Sequence, residues 1–122
     1  MLISKSFIIK GSRDKEILLD ISFTRNNFKK QIVIFSHGFK GFKDWGPFNK
    51  IAYYFAQQGF VFLKLNFSHN GTRPENPIDF VDLEAFGNNN LSKELDDLEQ
   101  VLNWVEKEFP KQEITLFGHS RG

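Results

Sequence analysis

The sequence predicts an α/β fold whose sheet is mostly parallel and begins with an antiparallel hairpin. Three short apolar runs, "QIVIFSHG", "FVFLKLNFS" and "EITLFGHS", are typical of strands buried on both faces of a parallel sheet. Two stretches with helical periodicity separate these runs. Because strands and helices alternate, the connections between the parallel strands should be right-handed crossovers.

The amino-terminal segment "KSFIIKGSRDKEILLDISF" predicts the hairpin, with a turn at residues 11–14. In its second strand, apolar side chains recur at every second position and therefore share one face. This face comprises Ile17, Leu19, Ile21 and Phe23.

Two helices are predicted, each with an apolar stripe that should face the core. In "GPFNKIAYYFAQQG", Pro47 suits the first turn and Gly59 the end, and in "LSKELDDLEQVLNWVEKEFP" Pro110 ends the helix. The stripes comprise Phe48, Ile51, Ala52, Phe55 and Ala56 in the first helix, and Leu91, Leu95, Leu98, Leu102, Val105 and Phe109 in the second. Residues 68–90, between a strand and the second helix, are predicted to form one long loop, and such loops are functional or disordered.

Length and composition favour a single domain over residues 1–122. Hydrophobic residues make up 40% of the chain, and its 15 Phe need a packed interior. The net charge of +1 hides a basic first half, residues 1–64 with 11 basic and 4 acidic side chains, and an acidic second half with 5 and 11. The basic residues are scattered, so we expect a solvated face and no nucleic-acid binding.

The absence of cysteine excludes a disulfide framework and cysteine metal sites. Lys5 and Lys10 interrupt the start before a signal-peptide core could form, and no apolar run approaches the roughly 18 residues of a membrane span. A cytoplasmic protein is therefore the expectation. No metal-ligand pattern or phosphate-binding loop is present, so the sequence implies no cofactor.

The chemistry-bearing motif is "GHSRG", a GxSxG pattern that directly follows the apolar strand at residues 113–117. In a strand-to-helix turn of this kind, Gly118 and Gly122 let neighbouring elements approach, and Ser120 is pushed out above the sheet. The alternative is a tight turn that happens to contain a serine.

A second motif, "FSHGFKGF" at residues 35–42, follows another buried strand. An acyl-transfer enzyme must stabilise a developing oxyanion, and backbone N–H groups in a loop beside the serine can do so. The alternative is a glycine-rich turn between a strand and a helix.

Together, the "SHGFKG" loop, the strand end "LNFSHNG" and the "LFGHSRG" turn resemble the amino-terminal half of an α/β-hydrolase-fold serine hydrolase. The resemblance implies that Ser120 is the nucleophile and that the N–H groups of Phe39 and Arg121 form the oxyanion hole, with His37 and Gly38 preceding Phe39. It also implies that the five strands correspond to the family's first five, in the order 1-2-4-3-5.

The family places its acid and then its histidine after the serine, so the resemblance implies that both lie beyond Gly122. We therefore expect a fragment truncated at the nucleophile elbow, and residues 1–122 alone to be inactive. The expected full-length protein acts on an ester, thioester or amide of a small molecule. Two alternatives stay open, a ligand-binding protein that keeps the scaffold without catalysis and a short interaction module.

Other polar residues near the motifs have two interpretations each. His69 is the only histidine free to replace the missing base, since His119 should point away from the serine. The carboxylates of Asp44, Asp79 and Asp82 are expected to be solvated. Lys40 and Lys43 either meet an anionic substrate or are surface lysines, and Phe42 and Trp45 either line an acyl pocket or pack the loop.

Overall fold

The computed structural model describes residues 2–24, 31–37, 42–44, 46–72, 74–77, 81–110 and 112–119. Five strands form one sheet, and their bounds are β1 Leu2–Lys10, β2 Glu16–Thr24, β3 Gln31–Ser36, β4 Val61–Asn66 and β5 Glu113–Gly118. The order across the sheet is β1-β2-β4-β3-β5, which confirms the predicted order. β2 runs antiparallel to both of its neighbours, β1 and β4, whereas β3 runs parallel to both β4 and β5.

The described residues between the later strands form three α-helices. α1 spans Phe48–Gln57 and α3 spans Leu91–Glu108, close to the predicted positions. α2, Leu83–Gly87, lies inside the segment that the sequence predicted as one long loop. Its start is capped by Asp82, whose side chain accepts a hydrogen bond from the Ala85 N–H, a common way to satisfy the first turn of a helix. None of the helices in the described ranges combines the length and apolarity needed to cross a membrane.

The sheet is covered by a helix on each face, so its central strands are buried on both sides. On the α1 face, Phe35 and Phe62 pack with Phe48 and Ala52. On the α3 face, the apolar side chains of β2, β3 and β4 pack against Val101 and Val105. Side chains that alternate along β3 and β4 therefore enter two different cores, which explains why these strands are continuous apolar runs in the sequence.

The apolar stripe predicted for α3 is partly wrong. Leu91 and Leu95 are 58% and 57% exposed, whereas Val101, which the stripe left out, is fully buried with Val105. The face turned to the sheet follows Asp97, Val101 and Val105, which are spaced by four residues. This rotation of the helix directs Leu95 away from the sheet.

The rotation of α3 is fixed by Asp97, a fully buried carboxylate in the middle of the helix. One of its oxygens accepts the Ser12 N–H at 2.7 Å, and the other accepts the Ser68 N–H at 2.8 Å. The Ser68 hydroxyl donates to the same carboxylate. Burial raises the pKa of Asp97, and the hydrogen bonds from Ser12 and Ser68 oppose that rise. Asp97 thus ties α3 to the β1–β2 turn and to the segment after β4.

Gly11 provides a direct test of this junction. A Cβ atom at Gly11 would lie 2.5 Å from Asp97 Oδ1 and 2.7 Å from side-chain carbons of Ile17, closer than normal contact. Gly11→Ala should therefore lower the free energy of unfolding by about 1 to 3 kcal/mol through overpacking. Urea denaturation measures this change.

The matched control is Gly87→Ala, because a Cβ atom there meets nothing within 4 Å. It should change the free energy of unfolding by no more than about 0.5 kcal/mol. Equal stability of the Gly11 variant and the parent protein would contradict the tight packing of Asp97 against the turn.

Candidate functional site at the carboxyl edge of the sheet

The carboxyl ends of β3, β4 and β5 meet at one edge of the sheet, called here the carboxyl edge. Ser36 at the end of β3 lies opposite Leu65 of β4 and Gly118 of β5. The His119 N–H then donates to the Ser36 carbonyl at 3.1 Å, which extends the pairing one residue past β5. His37 follows the last paired residue of β3, and His119 follows the last paired residue of β5, so the two histidines lie at adjacent strand ends. Open α/β sheets bind their ligands outside this edge.

His37 links the ends of β3 and β4. Its side chain is buried, its Nε2 accepts the Phe67 N–H at 3.2 Å, and its ring meets the Phe67 ring edge-on at 4.9 Å between centroids. Because Nε2 accepts a hydrogen bond, the proton of the neutral ring is on Nδ1. His37 thus has a structural contact that holds the end of β3 against the residue that follows β4.

His119 has a different environment at the end of β5. The residue is exposed, and its ring packs edge-on against Phe48 of α1, with centroids 5.4 Å apart. Phe48 in turn packs against Phe35 of β3, with centroids 4.5 Å apart. The last described residue before Ser120 is therefore anchored to α1 through its ring and to β3 through its backbone.

A buried ion-pair network lies on the α1 face next to the carboxyl edge. It consists of Lys43, Lys64, Asp20 and Asp44. The Lys43 ammonium contacts Asp20 at 2.5 Å and Asp44 at 2.6 Å, and the Lys64 ammonium contacts Asp44 at 2.9 Å. Lys64 also donates to Asn49 at the start of α1. The two lysine side chains are only 4% and 3% exposed, so each buried charge is compensated by an opposite charge within 3 Å.

The network holds Lys43 and Asp44, which follow the "HGFKG" motif in the sequence. The Lys43 N–H donates to Asn66 Oδ1 of β4 at 2.6 Å, so both the backbone and the side chain of Lys43 are fixed to the sheet. Burial raises the pKa of Asp44, but its hydrogen bonds with Lys43 and Lys64 outweigh this effect, and the pKa lies below its ordinary value. The carboxylate is therefore ionised over the whole neutral range.

Several charged residues were expected at the surface, and those expectations are wrong for three of them. Lys43 is 3% exposed, and its ammonium is occupied by Asp20 and Asp44, so it is neither a surface lysine nor turned to a ligand. Asp44 is part of the buried network. Asp82 is 7% exposed because it caps α2 and pairs with Lys15 at 2.6 Å. Phe42 is half-buried.

His69, the candidate for a replacement base, lies beyond the end of β4 and is 6% exposed. Its Nδ1 is 2.7 Å from the Ser68 hydroxyl, which already donates to Asp97. Nδ1 therefore carries the ring proton and donates it to Ser68. β3 lies between β4 and β5, so the histidine begins two strand positions, about 10 Å, away from the end of β5.

Most of the predicted chemistry lies outside the described residues. This applies to the nucleophile and the oxyanion-hole positions and to several of their neighbours, namely Gly38, Phe39, Lys40, Trp45, Asp79, Ser120, Arg121 and Gly122. The structure places the strand ends that lead into both motifs, together with His37 of one motif and Gly118 and His119 of the other. Among the described residues, no three His, Asp or Glu side chains are grouped so that they could hold a metal ion.

Neither a protein-family model nor a curated protein matches the sequence. Solved structures match it well. An α/β serine hydrolase homologue from Coxiella burnetii aligns with 95% of this chain at a TM-score of 0.69 and 21% identity. A cold-adapted esterase from an Arctic intertidal metagenomic library aligns with 98% at 0.75 and 16% identity. Brefeldin A esterase, a bacterial homologue of human hormone sensitive lipase, aligns with 96% at 0.69 and 15% identity.

These matches confirm the fold that the motifs indicated. The chain covers 51% of the Coxiella burnetii protein, 51% of the Arctic esterase and 31% of brefeldin A esterase, so it spans about half or less of the length of these proteins. The five strands in the order β1-β2-β4-β3-β5 are the amino-terminal half of the α/β-hydrolase fold. At these identities the likeness extends to the fold alone.

The ion-pair network predicts a specific pH dependence of stability. Because the folded-state pKa of Asp44 is lowered, its carboxylate stabilises the protein above the ordinary pKa of 3.8, and this contribution is lost as the pH falls through the lowered value. Asp44→Asn should lower the free energy of unfolding at pH 7 by about 2 kcal/mol. The difference between the two proteins should narrow below pH 3.8 in urea denaturation.

Asp14→Asn is the matched control, because Asp14 is exposed and its side chain lies outside the network. It should change stability by at most about 0.5 kcal/mol. A pH-independent difference between Asp44→Asn and the parent protein would show that the charge of Asp44 is not what stabilises the fold.

Proposed function

We propose that this chain is the nucleophile-bearing half of a serine hydrolase that cleaves an ester, thioester or amide of a small molecule. The observation that carries the proposal is the register at the carboxyl edge, where the ends of β3 and β5 are adjacent and joined by the bond from the His119 N–H to the Ser36 carbonyl. Ser120 directly follows His119, and Phe39 follows His37 by two residues. Both motifs therefore start from neighbouring strand ends.

The proposed reaction begins with attack of the Ser120 hydroxyl oxygen on the substrate carbonyl carbon. A carbon–oxygen bond forms, the carbonyl electrons move to its oxygen, and a base takes the hydroxyl proton. The backbone N–H groups of Phe39 and Arg121 donate to the resulting oxyanion. The tetrahedral centre then expels the alcohol, thiol or amine, which receives that proton, and leaves an acyl group on Ser120.

Water completes the cycle by attacking the acyl-serine, which releases the acid and restores the hydroxyl. The base that accepts and returns protons is proposed to be a histidine outside these 122 residues, oriented by an acid that is also outside them. His69 is unsuitable for this role because its Nδ1 is bonded to Ser68 and its backbone begins about 10 Å from the end of β5.

The role of Ser120 is tested on the natural gene product with a fluorophosphonate probe and with p-nitrophenyl acetate as substrate. The parent protein should form a covalent adduct on Ser120. Ser120→Ala should abolish the adduct and lower kcat on the order of a millionfold. Ser92→Ala, which changes an exposed serine of α3, should leave both unchanged.

Absence of an adduct on Ser120 in the folded parent protein would overturn the proposal. In that case the scaffold would be a non-catalytic ligand-binding protein. A melting curve on the same sample establishes that the protein is folded.

The oxyanion role of Phe39 rests on its backbone N–H and not on its ring. Phe39→Pro removes this donor, whereas Phe39→Ala keeps it. The proline variant should lower kcat by about 100- to 1,000-fold, and the alanine variant should lower it far less. Steady-state ester hydrolysis measures both, and equal losses in the two variants would contradict a backbone donor at this position.

A further inference from the structure

A cavity of about 600 Å³ opens beside the carboxyl edge, separate from the ends of β3 and β5. Its walls come from the β1–β2 turn, from His69 after β4, and from the segment of α2 and the start of α3. The turn lies at this edge because β2 runs antiparallel to β4, with Leu18 opposite Asn66. None of the chemistry proposed for Ser120 uses this cavity.

The cavity carries an excess of positive charge. Arg13, Lys15 and Lys93 line it together with two carboxylates, Asp82 and Glu84. Asp82 is occupied by Lys15 at 2.6 Å. The Lys93 ammonium donates to the Asn88 carbonyl, and within the described residues neither Lys93 nor Arg13 forms an ion pair with a carboxylate. Two cationic side chains at the cavity are therefore available to an anion.

The turn that presents Arg13 is strained. Arg13 has φ 55° and ψ 34°, and Asp14 has φ 59°, so two successive residues with side chains occupy the left-handed region. Such residues are disfavoured, and glycine adopts this region without cost. The turn is closed by a backbone hydrogen bond from the Gly11 N–H to the Lys15 carbonyl, and Asp97 accepts the Ser12 N–H within it. Strain of this kind is often found where a side chain has a function.

His69 contributes a polar group that responds to the charge in the cavity. Its Nδ1 proton is donated to Ser68, so Nε2 is the ring nitrogen left to change protonation. Burial, followed by the charges of Lys93 and Lys15, lowers the pKa of His69, while Asp82 acts in the opposite direction. An anion in the cavity would offset these cations and favour protonation of the ring.

We propose that this cavity is a binding site for the phosphate or carboxylate group of a small molecule, held by the Arg13 guanidinium and the Lys93 ammonium. A guanidinium donates two parallel hydrogen bonds to an oxyanion, and an ammonium adds a point charge. The protonated His69 ring supplies a third donor when the anion is bound. The proposal is independent of the reaction at Ser120.

The test is an NMR titration of the natural gene product with inorganic phosphate, and separately with acetate, at constant pH and at an ionic strength held with sodium chloride. The ring signals of His69 should shift with saturation, and the pKa of His69 should rise when the anion is bound. Saturation by phosphate alone assigns a phosphate ligand, and saturation by both anions assigns a general oxyanion site. If neither phosphate nor acetate shifts the His69 signals more than sodium chloride does, the proposal is overturned.

Arg13→Gly separates an effect on binding from an effect on folding, because it should raise the melting temperature and lower the anion affinity. Glycine relieves the left-handed strain and should raise the melting temperature by about 3 °C, while anion affinity should fall at least tenfold. Lys93→Gln should weaken binding similarly. Lys107→Gln, an exposed lysine at the other end of α3, is the matched control and should bind like the parent protein. Unchanged affinity in Arg13→Gly would contradict the site even if the protein becomes more stable.

Discussion

The architecture depends on the burial of β3 and β4 on both faces. Two parallel strands in the middle of a sheet need a helix above and a helix below, and α1 and α3 supply these covers. Because β3, β4 and β5 are parallel, the connection from β3 to β4 and the connection from β4 to β5 must each return to the opposite edge of the sheet. The three strands therefore end at the same edge. The positions of the two candidate motifs follow from this constraint, because each motif begins where one of the parallel strands β3 and β5 ends.

Burial on both faces also creates a problem at the carboxyl edge, where the chain must become polar. On the α1 face, the first charged residue of the apolar strand β4 is Lys64, which is only 2% exposed. Asp44 and Asn49 satisfy its ammonium, and Asp44 is shared with Lys43. On the α3 face, the corresponding polar group is Asp97. The edge is therefore stabilised by an ion-pair network on the α1 face and by a hydrogen-bonded carboxylate on the α3 face.

The sequence was sufficient for the features that depend on local periodicity. Ile17, Leu19 and Ile21 of β2 are buried as expected and Phe23 is partly buried, and α1 and α3 occupy the predicted parts of the chain. The strand order came from the resemblance of the motifs, because no local pattern specifies which strands are adjacent. α2 was missed since five residues are too short for a periodic signal, although the capping Asp82 before Leu83 was a usable sign.

The errors and the omissions concern residues whose environment depends on tertiary contacts. Lys43, Lys64 and Asp97 are buried because distant residues supply opposite charges or backbone donors, and single-residue polarity does not reveal such partners. The sequence held one signal, a lysine inside the apolar run "FVFLKLNFS", whereas Asp97 lies outside the apolar stripe predicted for α3. The exposure of Leu95 has the same origin, since the bonds of Asp97 set how α3 is rotated.

The junction at Asp97 also bears on the order of events during folding. It joins residues separated by 85 positions in one case and 29 in the other, so neither bond can form through local chain motion. Contacts that close such large loops pay their entropic cost before they contribute stability. If they form after the rate-limiting step, weakening them speeds unfolding and leaves the folding rate nearly unchanged. The carboxylate of Asp97 would then determine how long the assembled sheet edge persists and not how quickly it is made.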